Sequence, residues 1–319
     1  MIDLTNKKIL LVRNDNVGDL VCTTPSIEGL RKKYPNSQID IVVNSYNFDA
    51  INSNPFVNKI YCYTKPKHKK SFLNKVKAAF GKLKILFDIK REQYDAVVIF
   101  RSGYSKSAEL FSNITNAKYK VGVKDPKGKD KFSIHIEANH NKNEVEFCFD
   151  CLLPFGVNYD NENTFYFVEE YLFNKYTEYS DHILFHISSR IDENKYFIEN
   201  YFSIFEKLND KKILISAEPD DFLMAEELSN KFNNVFFIKT KSLHDLSGLI
   251  KNVKLFITLD GGAMHLAPAV GTKTISISGK TNMNKWYPWG YEDLVLQDKS
   301  KIANNIKPDL VVKKIMEII

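Results

Sequence analysis

Four cysteines in 319 residues are too few for a disulfide framework. Cys148 and Cys151 have CxxC spacing, but they fall in a helical apolar run with Phe147 and Leu152. Neither a thioredoxin-like turn nor a second ligand pair accompanies them, so buried packing and reduced thiols fit best. No Asp-x-Asp occurs, and a metal-bridged diphosphate is therefore not indicated. No GxGxxG and no P-loop occurs either, which removes the dinucleotide and NTPase fingerprints. No apolar run approaches the roughly 18 residues of a membrane span, and no signal peptide precedes Lys7. The expectation is a soluble, cytoplasmic protein that meets a membrane only from outside. No repeat of roughly 20–50 residues is present. Net charge is only +6, with 44% apolar and 26% charged residues. That is globular composition with material for two cores, and its mild basicity suits an anionic ligand or surface without calling for nucleic acid.

The chain organises around KKILLVRNDNVGDLVCTTP, residues 7–25. Ile9–Val12 is an apolar run suited to a strand buried on both faces. Arg13–Asn16 is turn-prone, and from Leu20 the apolar spacing becomes helical through Ile27 and Leu30. Strand, tight loop and helix place the loop at the strand's carboxyl end, where open α/β sheets hold ligands. Asp19, at the opening of that helix, reads either as a cap or as a general base facing a cleft. Strands follow at Ile39–Val43, Ile60–Tyr63 and Tyr94–Phe100, the last leading into Arg101. Between the last two, residues 65–91 are rich in lysine. Phe72, Val76, Phe80, Leu83 and Phe87 repeat there at helical spacing, which predicts an ordinary crossover helix with a solvated basic face. The cluster Lys65, Lys67, Lys69 and Lys70 precedes it, and a solvated basic surface accounts for it as well as a contact with anionic lipid headgroups or a phosphorylated acceptor does. Lys124–Lys131 reads as a mobile loop, and a helix runs from Glu144 to Phe155.

A polar stretch near residues 158–163 marks a boundary, giving domains 1–165 and 166–319. The second half repeats the alternation, with strands at Ile183–Ile187, Lys212–Ser216, Val235–Ile238, Leu255–Leu259 and Thr274–Ile277. Two parallel sheets with helices on both faces follow from it, an α/β, doubly wound class. Asp260-Gly261-Gly262, after a buried strand and before a helix, is a phosphate-site candidate, since two glycines admit close approach of an anion to the backbone. A purely conformational turn accounts for it as well. His265 lies one turn further, where a structural role is the commoner one. Ser188, Ser189 and Arg190 end the half's first strand with Lys195 just beyond, a set that suits a diphosphate and an ordinary polar loop equally. Glu218 follows the next, where doubly wound folds place an acid for ribose hydroxyls, although a lone Glu is more commonly a surface residue.

Together, ILLVRNDNVGDLVCTTP and LDGGAMHLAPAVGTKTISISGKT resemble the heptosyltransferases of lipopolysaccharide core assembly, glycosyltransferase family 9, over nearly the whole chain. The resemblance implies the GT-B fold, two Rossmann-like domains facing across a cleft, with the loops around residues 19 and 260 sharing it. It implies inverting transfer from a nucleotide sugar, typically ADP-heptose, with no metal and no cofactor, onto a membrane-anchored anionic glycolipid. The enzyme would work in the cytoplasm, peripheral on the inner face of the inner membrane. Asp19 matches the family's catalytic base. Ser188, Ser189 and Lys195 match donor-diphosphate contacts, and Glu218 matches an acid near the ribose. Asp260 matches an acid that holds the donor sugar's hydroxyls, and Gly261, Gly262, Ala263 and His265 belong to the same donor turn. Asn16, Gly18, Arg101 and the lysines at 65, 67, 69 and 70 fall to the acceptor side. Where the family usually carries Thr or Ser after the acid, this chain has Gly261, which implies an altered donor choice. Two other readings stand beside this one: a nucleotide-sugar epimerase of the same architecture, and a catalytically silent nucleotide-sugar-binding protein.

Overall fold

The computed structural model describes residues 1–65, 71–139, 141–158 and 166–319. The chain forms two compact units, Met1–Phe167 and Val168–Ile319. The expected lysine contacts at 67, 69 and 70 lie outside the described residues.

In the first unit the described strands are β1 (Lys8–Val12), β2 (Gln38–Asn44), β3 (Lys59–Tyr63), β4 (Ala96–Ile99), β5 (Tyr119–Val123) and β6 (Ile134–Ile136). They make one parallel sheet in the order β3-β2-β1-β4-β5-β6. Its helices are α1 (Val17–Val21), α2 (Thr24–Lys33), α3 (Phe72–Glu92), α4 (Lys106–Asn113) and α5 (Glu144–Asp150). β1 and β4 are buried almost throughout because helices cover both faces of the sheet.

The second unit repeats this plan. Its strands are β7 (Ile183–His186), β8 (Ile213–Ser216), β9 (Val235–Phe237), β10 (Leu255–Leu259), β11 (Thr274–Ser278) and β12 (Val295–Gln297). They are also parallel, in the order β12-β11-β10-β7-β8-β9. The helices are α6 (Glu170–Lys175), α7 (Ile198–Lys207), α8 (Phe222–Lys231), α9 (Leu243–Asn252), α10 (Leu266–Ala269), α11 (Met283–Trp286) and α12 (Pro308–Met316). Counted from its own first strand, each sheet has the order 3-2-1-4-5-6. The winding reverses between β1 and β4 in one unit and between β7 and β10 in the other. Ligands of doubly wound sheets bind outside the strand ends at such switch points.

Four expectations need correction. The helix expected over Glu144–Phe155 ends at Asp150, and a 3-10 turn over Leu153–Phe155 follows, because Pro154 has no N–H to continue the helical ladder. The helix opening near Leu20 is not continuous but breaks between α1 and α2. Pro25 has no N–H for the carbonyl of Val21, and the Thr24 hydroxyl takes that carbonyl instead at 2.8 Å. The helix expected after Asp260 is a 3-10 turn over Gly262–His265 followed by the four-residue α10. Pro268 cannot donate back to Met264, and Gly271 at φ +82° closes the turn. Finally, the solvated basic face expected of α3 is present, with Lys75, Lys77, Lys84, Lys90 and Arg91 exposed, but it is shared with apolar side chains. Ile89 is buried and Ile85 and Leu86 pack on the core, but five large apolar side chains of α3 stand in solvent.

Candidate functional site

The register of the first sheet sets Val12 beside Ile99, so the loops after β1 and β4 emerge side by side. Arg13 leaves β1 wholly buried. Its Nη2 donates to Asp19 Oδ1 at 2.8 Å and to Glu144 Oε1 at 2.7 Å. Its Nε lies 2.9 Å from Asp15 Oδ1, an ion pair not aligned as a hydrogen bond. Burial opposes the guanidinium charge, but Asp15, Glu144 and Asp19 outweigh it and hold Arg13 charged far above its usual range. Asp15 is pushed up to about 7, chiefly by burial and further by Asp19 and Glu144, against the pull of Arg13 and Arg101. Arg101 Nη1 reaches Asp15 Oδ2 at 3.5 Å.

Asparagines pin the loop backbone. Asn47 donates to the carbonyl of Arg13 at 3.1 Å, Asn44 to that of Asp15 at 3.1 Å, and Asn14 to the Tyr63 hydroxyl at 3.0 Å. Asn16 holds the N-cap position of α1, so Asp19 is not the cap. It lies in the first turn, its side chain 15% exposed and gripped by Arg13. Gly18 is buried inside α1, Asn16 is exposed, and Lys65 is half-buried beyond β3. Thus Asp19, Asn16, Gly18 and Arg101 gather at one switch point. Cys148 and Cys151 are free and buried, with burial pushing Cys148 up to about 12, so no redox pair is exposed.

In the second unit the register pairs His186 with Thr258, which sets Ser188 level with Asp260 two residues further on. The Ser189 hydroxyl donates to the backbone carbonyl of Asp260 at 3.0 Å. The Ser188 hydroxyl accepts the N–H of Glu218 at 2.8 Å. Asp260 is buried, and its Oδ2 accepts from Asn194 Nδ2 and from the Thr281 hydroxyl. Burial raises the Asp260 carboxyl, while Thr281, His265 and Asn194 draw it down. Asn194 Oδ1 in turn accepts the N–H groups of Gly279 and Lys280 at 3.1 and 2.9 Å. His265 is buried, edge-on to Trp286 with ring centroids 5.8 Å apart.

Ser188, Ser189, Glu218, Asp260, Gly261, Gly262, Ala263 and His265 therefore gather at the carboxyl edge of this sheet. Glu218 and Gly261 are exposed there. Lys195 is exposed and paired with Asp192 at 2.7 Å, which raises its pKa. Sequence reasoning missed Asn194 and singled out neither Arg13, Asp15 nor Glu144. The signal for the first unit was the crowding of Arg13, Asp15 and Asp19 in seven residues. Thr281 lay in the quoted motif without being picked out.

Two doubly wound units, each with its polar loops at the switch point, define the GT-B class of two Rossmann-like domains in one chain. The family model for glycosyltransferase family 9 (heptosyltransferase) matches residues 83–315. Lipopolysaccharide heptosyltransferase 3 of Escherichia coli is 23% identical over 290 residues, 85% of this chain and 83% of the relative. The family 9 glycosyl transferase of Veillonella parvula superposes with a TM-score of 0.82 at 18% identity, covering 99% and 98% of the two chains. E. coli heptosyltransferase WaaC, solved with ADP, also gives 0.82, at 17% identity and covering 98% and 100%. The chain belongs to glycosyltransferase family 9, the heptosyltransferase family, and is a glycosyltransferase.

Proposed function

We propose that this protein transfers heptose from ADP-heptose, with inversion and without a metal, to an anionic glycolipid of the lipopolysaccharide core. Supporting the donor is the fold shared with WaaC, which was solved with ADP. Supporting the acceptor is the E. coli relative, a lipopolysaccharide heptosyltransferase. The observation that carries the reading is the held carboxylate of Asp19, 2.8 Å from a buried guanidinium at the switch point of β1 and β4.

Asp19 takes the proton of an acceptor hydroxyl as that oxygen attacks the anomeric carbon of the donor sugar. Arg13 and Glu144 keep the carboxylate in one orientation, so little reorganisation accompanies proton transfer. Arg101, Asn16 and Gly18 bound the same acceptor position. Lys65, with the lysines at 67, 69 and 70, adds positive charge for the glycolipid phosphates. On the donor side Ser188, Ser189, Lys195 and the backbone N–H groups of Gly262 and Ala263 meet the diphosphate and stabilise its departure. Glu218 takes the ribose hydroxyls, Asp260 those of the sugar, and His265 backs the Asp260 turn.

Asp19→Asn keeps the shape of the side chain and removes its basicity. Transfer should fall at least 10²-fold while ADP affinity, measured by calorimetry, stays within about twofold of wild type. Full transfer by this variant would refute the base assignment. A product that forms without acceptor would point to epimerisation, and activity lost in a chelator would refute metal independence.

A further inference from the structure

We propose that the outer face of α3 seats this protein on a lipid surface bearing anionic headgroups, lying in the interface rather than crossing it. Phe72, Leu73, Phe80, Leu83 and Phe87 are between 59% and 78% exposed. Phe72, Phe80, Leu83 and Phe87, with half-buried Val76, follow helical spacing and form one stripe ~22 Å long. It is not a core face left bare by chance, because α3 already has an inner face. Ile89, Ile85 and Leu86 pack on the core with Tyr61, Tyr63 and Phe111. Lys82 is turned inward there, its Nζ 5.2 Å from the Tyr63 ring.

Charge selects the partner. Lys77, Lys84 and Arg91, spaced seven apart, run down one border of the stripe, and Lys90 follows its C-terminal end. Lys75, Lys77, Lys84 and Lys90 make no ion pair among the described residues. The helix's two carboxylates sit further round. Glu92 is taken up by Lys8 at 3.1 Å and Lys59 at 3.6 Å, and Asp88 is half-buried. An apolar stripe edged by cations that make no ion pair among the described residues is the pattern of a helix lying among headgroups, its aromatic rings at the acyl boundary. No described helix is long and apolar enough to cross a membrane.

The helix that carries the seat packs, by its inner face, beside the loop that carries Asp19. Tyr63 closes β3 beneath α3 and its hydroxyl holds Asn14. A hollow of about 360 Å³ opens beside it, lined by Tyr63, Thr64, Asn74, Lys77 and Gly81. Binding to lipid stands independently of the transfer reading. Only its use rests on that reading, which is to bring a lipid-anchored acceptor to the carboxyl edge of the first sheet.

The test is flotation of the full chain with vesicles of phosphatidylcholine alone, or with one third phosphatidylglycerol, at low and high salt. Wild type should partition at least tenfold more strongly onto the anionic vesicles, and less so at high salt. Phe80→Ser, Leu83→Ser and Phe87→Ser combined should lose at least tenfold, with helical content and melting temperature unchanged because these side chains support no core. Lys77→Gln, Lys84→Gln and Arg91→Gln combined should lose the salt-sensitive part. Wild type that stays unbound overturns the proposal, as does a triple serine variant that floats like wild type. So does a wild-type dimer that the serine variant dissolves, since the stripe would then be covered by a second copy. Neither donor nor acceptor enters this assay. Wild type that floats yet transfers no sugar overturns the transfer reading alone.

Discussion

Arg13 is closed off from water, so its charge has to be met by protein, and the three carboxylates that meet it exceed what one guanidinium neutralises. Asp15 answers to burial first and to Asp19 and Glu144 after it, and Arg13 and Arg101 offset them only in part. Pushed up to about 7, its carboxyl keeps a proton in the folded state that an unfolded chain gives up above about 4. Folding takes up that proton between the two values. This site's contribution to stability therefore falls as pH rises from about 4 to 7 and is level above. Asp15→Asn removes the slope. Relative to wild type the variant should gain about 3 kcal/mol between pH 5 and pH 8, read by urea unfolding at both. Parallel curves for the two proteins would mean that Asp15 is ionised throughout. Gly261 is the other informative residue. Its backbone is extended, φ 168° and ψ −173°, and nothing stands within 4 Å of where a Cβ would be. Gly261→Ser, which adds a hydroxyl directly after the acid, should leave stability within about 0.5 kcal/mol. ADP-sugar affinity should shift severalfold at unchanged melting temperature. Affinity that does not move for any donor would place residue 261 away from the sugar.

At the scale of elements, a 3-10 turn after β10 stands where a helix was expected, and it meets the loop after β11. The strand ends hold the turns at Asp192–Asn194, Gly262–His265 and Gly279–Thr281 against one another through Asp260 and Asn194. Gly279 shows how close the approach is, since an added Cβ would stand 2.0 Å from the Glu193 carbonyl oxygen. Gly279→Ala should cost about 1–3 kcal/mol in denaturant unfolding and weaken ADP binding with it. A variant of wild-type stability would show that the turn is free to shift. At the same scale α1 and α2 break because of Pro25, and the Thr23 hydroxyl donates to the carbonyl of Asp19 at 2.8 Å. That bond fixes the backbone of the proposed base from behind.

For the whole molecule, two sheets of the same strand order each have their own core, and the proposed function gives donor and acceptor one unit each. On the proposed division, ADP alone should slow amide exchange around residues 188–195, 217–219 and 260–265, and leave 13–19 unchanged. Protection confined to residues 13–19 would reverse the assignment of donor and acceptor.

Local pattern alone determined the alternation of strands and helices, most strand positions, and the two polar loops later found at the switch points. Such features depend on residues near one another in sequence, where apolar period and turn chemistry are written directly. Short pieces such as β6, β12, α6 and α11 escaped because a few residues carry too little periodicity. Tertiary structure decided what pairs with what. Glu144 reaches Arg13 across 131 positions, and Asn194 reaches Gly279 across 85. It also decided which face of α3 is covered. Helical spacing marks a face as apolar, but whether a neighbour buries it depends on the length and placement of the elements packed against it.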